Sequence, residues 1–268
     1  MSEPATSVRT EQKASWHWLI VFIAAALALQ LELVFNRPVN WDEFFHLTDA
    51  HAVYQGRLNE PLQVLHARAF FWLAALPVDA VDQIRVARLF MFAFEVATLI
   101  AIYGIARHFA GRFPAALATL AYLTGGYVFQ HGFSYRADPM AAAFLMGSLW
   151  MLLKSSLNAR DIIITALLVA LALLTTIKVV LYAPAFAALA WLRWREADDP
   201  RGMLRRLGLL LIVATVGSAL VVGATVLSVP ESAQLAAGSA TKVVATSGTM
   251  MFNEGLFPRW PYILGAIA

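Results

Sequence analysis

Apolar residues run through this chain in long blocks separated by short polar stretches, the pattern of a helical membrane protein rather than of a water-soluble core. A membrane span needs about 20 mostly apolar residues. On that measure the first span runs from Trp16 to Phe35, interrupted only by Gln30 and Glu32. Val86–Phe109, Phe113–Phe129, Met140–Leu153, Ile162–Ile177, Val179–Trp194 and Leu207–Val229 follow, to make about seven in all. The block from Ile162 to Trp194 is too long for one crossing at about 1.5 Å per residue. Thr175-Thr176-Ile177-Lys178 is its one polar break, so a turn is expected there. Between the first two spans lies a long mixed loop, residues 36–83. It holds two amphipathic segments, Asn40–Gln55 and Gln63–Leu76, expected to lie as helices on the membrane surface. No internal repeat or soluble domain interrupts the pattern, so residues 1–268 are expected to form one all-α transmembrane domain. The last residues, PYILGAIA, read as the start of an eighth span, and the chain is expected to be a fragment of a longer protein.

Composition agrees with the pattern. Of 268 residues, 60% are hydrophobic and only 14% charged, with a mean hydropathy of +0.67; soluble domains carry about 25% charged residues. The net charge is +3 and the basic residues are scattered, which argues against a nucleic-acid partner. There is no cysteine, so disulfides, thiolate catalysis and cysteine metal sites are excluded. The polar start of the chain and Ala26-Leu27-Ala28 have the look of a signal peptide. The apolar run continues to Phe35, however, and reads as an uncleaved first span.

The positive-inside rule sets the orientation. Arg107, Arg112, Lys154, Arg160, Arg193, Arg195, Arg201, Arg205 and Arg206 all fall on the side of Arg9 and Lys13, which is therefore cytoplasmic. The loop after Phe35, the loop around Arg136, Lys178 and the segment after Val229 then lie outside, with a scatter of basic residues (Arg37, Arg57, Arg68, Arg85) in the longer loop.

The outer side collects the candidate chemistry. If Asn40–Gln55 is a helix, Asp42, His46 and Asp49 share one face, while Phe44, Leu47 and Tyr54 form the greasy side with His51 among them. Tyr135, Arg136 and Asp138 lie in SYRADPM, and Lys178 lies at the break between the fifth and sixth spans. These groups sit at the outer ends of different spans, so a bundle would let them converge. Carboxylates with an arginine and a lysine suit a reaction at an anionic phosphate: the cations hold the phosphate and a carboxylate removes a proton from a hydroxyl.

Simpler roles compete at each position. Asn40 followed by Glu43 resembles a capping box. Asp138-Pro139 resembles an N-cap followed by proline at the first helical position. Arg136 and Lys178 at span ends suit snorkelling to headgroups, and His46 suits an interfacial polar residue. Asp42, His46 and Asp49 are an alternative ligand set for a divalent metal, the only cofactor the pattern points to. Glu95, inside the second span, is expected to pair with a basic residue on a neighbouring helix.

Trp41-Asp42-Glu43 opening the first outer loop, two surface segments after it, Arg136-Ala137-Asp138 at the start of the fourth span and Thr176-Ile177-Lys178 further on resemble the GT-C glycosyltransferases. The similarity is to the bacterial branch that includes lipid A aminoarabinose transferases, protein O-mannosyltransferases and lipopolysaccharide-core sugar transferases. It covers nearly the whole chain and lacks that family's variable C-terminal part.

The resemblance implies an enzyme of the bacterial inner membrane with its active site on the periplasmic side. Its donor would be a polyprenyl-phosphate-linked sugar, its acceptor a lipid, glycan or protein hydroxyl, and the anomeric carbon would invert. Asp42 would be the base (in some members this acid is a metal ligand), Glu43 would support it or orient the acceptor, and Asp138 would be the second acid. Arg136 and Lys178 would hold the donor phosphate, with His46 and Tyr135 beside them in the substrate site. The outer segment 230–260, around Phe252 to Trp260, would cover the cavity. Two other readings stand beside the enzyme. One is a transporter or flippase with a charged relay, for which Glu95 speaks; the other is a non-catalytic membrane partner of another chain.

Overall fold

The computed structural model describes residues 5–58 and 63–227. Among these the chain is all-helical and has no strand. The helices are α1 (Ala5–Asn36), α2 (Trp41–Tyr54), α3 (Leu65–Ala69), α4 (Ala80–Phe109), α5 (Arg112–Thr124), α6 (Gly126–His131), α7 (Ala137–Lys154), α8 (Ala159–Thr175), α9 (Ala183–Arg195) and α10 (Pro200–Leu227). Short 3-10 turns at Phe71–Ala75 and Ile177–Tyr182 complete α3 and precede α9. The segments expected at 230–260 and in an eighth span lie outside the described residues.

Local chemistry accounts for most boundaries. α1 stops just before Arg37-Pro38, since proline cannot continue a helix. Asp79 and Asn158 cap α4 and α8 by accepting the Asp82 and Asp161 amides at 2.9 and 3.0 Å. The capping box at the start of α2 is present. The Asn40 side chain accepts from the Asp42 amide at 3.4 Å, and the Asn40 amide donates to Glu43 Oε2 at 3.0 Å. The expected turn in the long apolar block falls at Thr176, whose Oγ1 accepts the Lys178 amide.

One expected cap is overturned. Arg136, not Asp138, is the N-cap residue of α7, and Asp138 lies inside the first turn. Pro139 is still tolerated, because the first-turn N–H groups of a helix have no intrahelical acceptor to lose.

Four helices among the described residues are long and apolar enough to cross a membrane: His17–Asn36, Ala80–Phe109, Ile177–Arg195 and Pro200–Thr225. The other expected spans correspond to α5, α7 and α8, of 13, 18 and 17 residues, shorter than the usual length of about 20. The run Phe113–Phe129 is divided at Gly125 into α5 and α6. In the bundle, α4 packs along α7, α7 along α8 and α8 along α10, while α5 fills the space between α1 and α4. Gly104 of α4 lies directly against the Trp150 ring of α7, so no side chain fits there. The outer face of α10 carries Leu204, Leu211, Ile212 and Leu220, each at least 60% exposed, a surface suited to lipid.

α2 and α3 lie across one end of the bundle. Leu47 of α2, with Phe70 and Leu73 just after α3, joins Ile84, Ala87, Met91, Tyr135 and Met140 in one apolar cluster. Leu47 therefore faces the core, while Phe44 and Tyr54, expected on the same greasy side, are exposed. His51 meets Gln83 of α4 at 2.8 Å. The inner stripe of α2 is Glu43, Leu47 and Ala50, one position round from the acidic face Asp42, His46 and Asp49.

Glu43 is the centre of this end. Its carboxylate takes both forks of the Arg88 guanidinium, Nε to Oε1 at 2.8 Å and Nη2 to Oε2 at 2.6 Å, with both side chains 1% exposed. Arg88 also donates to the carbonyls of Val34, Arg37 and Pro38 at 3.1, 2.9 and 3.2 Å, tying down the end of α1. The Tyr135 amide donates to Glu43 Oε1 at 2.9 Å. One ion pair thus joins α1, α2, α4 and the segment before α7. Removing one member strands the other as a buried charge, so Glu43→Ala or Arg88→Ala is expected to cost about 3–5 kcal/mol of stability. Thermal or denaturant unfolding of the purified protein in detergent measures this.

Candidate functional site

Successive residues of a helix are rotated by about 100°, so the neighbours Asp42 and Glu43 cannot face the same way. Glu43 turns inward to Arg88, and Asp42 turns to the side, where Arg136 meets it at 3.1 Å. Arg136 also lies 3.6 Å from Asp138 across its Nε. All three are partly exposed, Arg136 at 24%, Asp42 at 26% and Asp138 at 45%. Arg136 is thus held between two carboxylates rather than reaching freely outward as a snorkelling residue does. Its Nε is itself buried and has no hydrogen-bond partner among the described residues, 3.6 Å being too long for one.

Asp138 has a second neighbourhood. It lines a cavity of about 290 Å3 together with Glu95, Tyr127, His131, Thr176 and Lys178. Lys178 reaches this wall because the chain unwinds at Thr176 before its 3-10 turn. Tyr127 stands beside Asp138 in this wall. His131 accompanies Arg37 at 3.4 Å on the same side. The cavity therefore brings a carboxylate, a lysine and a phenol from three separate elements to one space.

Glu95 lies deeper in the wall, and its partner is not the expected base. Gln30 of α1 donates to it at 2.9 Å and binds the carbonyls of Val128 and Phe129 at 3.3 and 3.1 Å. The polar break noted in the first span and the acid in the second are thus one hydrogen-bonded pair. Gly132 packs directly on the Glu95 carboxyl, which would have to shift to admit a side chain there.

Two residues expected in the site have other roles. Glu43, proposed as a supporting acid, is buried with both oxygens occupied by Arg88, the Asn40 amide and the Tyr135 amide. Tyr135, expected to touch substrate, is fully buried, with its ring in the apolar cluster beneath α2 and α3. Its hydroxyl is pushed above the usual range by burial and then by Asp49.

His46 stands outside the cavity wall. Its ring meets His66 of α3 edge-on at a centroid distance of 4.4 Å. Burial, and then Arg136, hold the His46 imidazole below its usual range. Burial and His46 lower His66 further, to about 3. Of the alternative metal ligands, His46 and Asp49 come together with His66, while Asp42 is engaged by Arg136.

Sequence reasoning missed Arg88, Gln30 as a partner, and His66. A signal for Arg88 existed, since a charge inside an apolar span needs a partner. None existed for His66, because α2 and α3 meet only through the tertiary fold.

For Glu43, burial alone would raise the carboxyl. Hydrogen bonds from Arg88 and from the Asn40 and Tyr135 amides outweigh it and hold the group below its ordinary range. A depressed folded value means its stabilisation is present above the unfolded value, about 4.3, and is lost as pH falls through the folded one. Unfolding measured at neutral and acid pH should therefore show a steeper acid loss in wild type than in Glu43→Gln. Arg136→Ala, by contrast, removes partly exposed pairs and is expected to change stability by about 1 kcal/mol or less.

Comparison with protein-family models, with curated proteins and with solved structures finds no match for this chain, so its functional reading rests on the chemistry of the site.

Proposed function

We propose that the chain is the membrane core of an inverting glycosyltransferase, moving a sugar from a polyprenyl-phosphate donor to an acceptor hydroxyl at the outer face of a bacterial inner membrane. In this reading α5, α7 and α8 are the shorter crossings of a seven-span bundle whose N-terminus is cytoplasmic. The observation that carries it is the Asp42–Arg136–Asp138 trio, whose last member also lines the cavity with Lys178. Asp42, Arg136 and Asp138 form one ion-paired row, and Asp138 shares the wall of the concave space with Lys178.

In the reaction Asp42 accepts the acceptor hydroxyl proton as that oxygen attacks the anomeric carbon from the face opposite the phosphate. The bond from the anomeric carbon to the phosphate oxygen breaks, and its electron pair leaves with the polyprenyl phosphate. Arg136, whose side chain is partly exposed, and Lys178 balance the phosphate charge as it grows, so no strong general acid is required. Asp138 orients Arg136. Glu43 holds α2 in place and takes no proton.

A transporter is the second reading, and Glu95 in the cavity wall is the observation for it: its Oε2 is buried with no hydrogen-bond partner among the described residues. Two measurements separate the readings. Membranes containing the protein should transfer sugar from a synthetic polyprenyl-phosphate donor to endogenous acceptor, and Asp42→Asn should lower turnover by at least about a hundredfold with folded protein unchanged. Wild-type turnover in Asp42→Asn would remove Asp42 as the base, and donor-independent solute uptake into proteoliposomes would favour the transporter. Lys178→Ala should lower kcat as well as raise the KM for the donor, because the lysine both binds the phosphate and balances its growing charge.

A further inference from the structure

The two histidines at the junction of α2 and α3 are not used by the reaction above. His66 is 3% exposed, yet neither of its ring nitrogens has a hydrogen-bond partner among the described residues, and the same holds for the buried Nδ1 of His46. An imidazole taken out of water with both nitrogens unmet is costly, and in native structures such groups call for an ion or water to complete them. Asp49 stands on the same face of α2, one turn beyond His46. One ligand atom from each of His46, Asp49 and His66 lies within 4.8 Å of the others.

We propose that His46, Asp49 and His66 form a binding site for a transition-metal dication of the zinc class. Two imidazoles and one carboxylate are the donor set such ions prefer, whereas magnesium and calcium take oxygen ligands. Metal–ligand bonds of about 2.0–2.1 Å place tetrahedral donors about 3.4 Å apart, so side-chain adjustment alone closes the observed spacing. Three protein ligands leave at least one position for water or an incoming anion. The Tyr135 hydroxyl is likewise buried without a hydrogen-bond partner among the described residues.

Asp42 is not a ligand, because Arg136 holds it. The site therefore sits one helical turn from the Asp42–Arg136–Asp138 trio without sharing a residue with it. A dication there would clamp α3 onto α2 and add positive charge beside the trio. This site does not depend on the glycosyl-transfer reading.

The test uses the full-length, tag-free protein in detergent, stripped with chelator and reloaded with Co2+ and then Zn2+. Wild type is expected to take up about one Co2+ per chain with the visible absorption of a four- or five-coordinate site. Zn2+ should displace it and raise Tm, while Mg2+ should not. Asp49→Asn and His46→Gln lie at half-buried positions and should keep the fold; each should weaken Co2+ binding by about tenfold or more. His108→Ala, a histidine outside the site, should bind as wild type does. The proposal is overturned if wild type takes up no Co2+, if Asp49→Asn and His46→Gln bind it unchanged, or if Mg2+ raises Tm as Zn2+ does.

Discussion

Everything at the α2–α3 end of this protein depends on one buried ion pair. Charges as deeply enclosed as Glu43 and Arg88 are tolerable only when every lone pair and every N–H finds a partner. Here Arg88 meets the two carboxylate oxygens and three carbonyls, and Glu43 meets Arg88 and two backbone amides. Those partners come from the end of α1 and the turn after it, the start of α2, the first third of α4 and the segment before α7. The pair therefore sets the rotation of α2 about its axis, since only one rotation puts Glu43 onto Arg88. That rotation in turn decides where Asp42, His46 and Asp49 point.

The consequence is a division of labour between two adjacent acids. Glu43 is sealed and fully hydrogen-bonded, its proton affinity lowered by its donors. Asp42 is a quarter exposed and faces Arg136, within reach of a ligand. Environment rather than residue type separates a structural carboxylate from a chemical one. The same logic applies deeper in the bundle, where Gln30 and Gly132 make room for Glu95 in the cavity wall, and at the α2–α3 junction, where His66 is buried beside His46.

Much of the architecture was legible because its causes are local. Apolar block length marked the helices, Asn40 and Glu43 marked the start of α2, and the polar break at Thr176 marked the turn before α9. Where the reading slipped, a local rule met a competing one. Asp138-Pro139 has the chemistry of a helix start, yet α7 begins two residues earlier, because proline is acceptable anywhere in a first turn. That small shift leaves the Asp138 carboxylate free of capping and directs it toward Arg136. Phe113–Phe129 reads as one apolar run, yet Gly125 divides it, since hydropathy carries no information about a bend.

The sequence by itself determined the helical, lipid-suited character of the chain, the start of α2 and the break at Thr176, and marked Asp42, Arg136, Asp138 and Lys178 as the charged groups at helix ends. These follow from hydrophobic period, capping chemistry and charge placement, all of which act within a few residues. Only the tertiary structure decided which acid is buried, that Arg88 is its partner, that Glu95 bonds to an amide rather than a base, and that His66 joins His46 and Asp49. Those outcomes depend on how far each helix is turned about its own axis and which helix lies beside it. That is settled by satisfying buried polar groups across the whole bundle, not by any one segment.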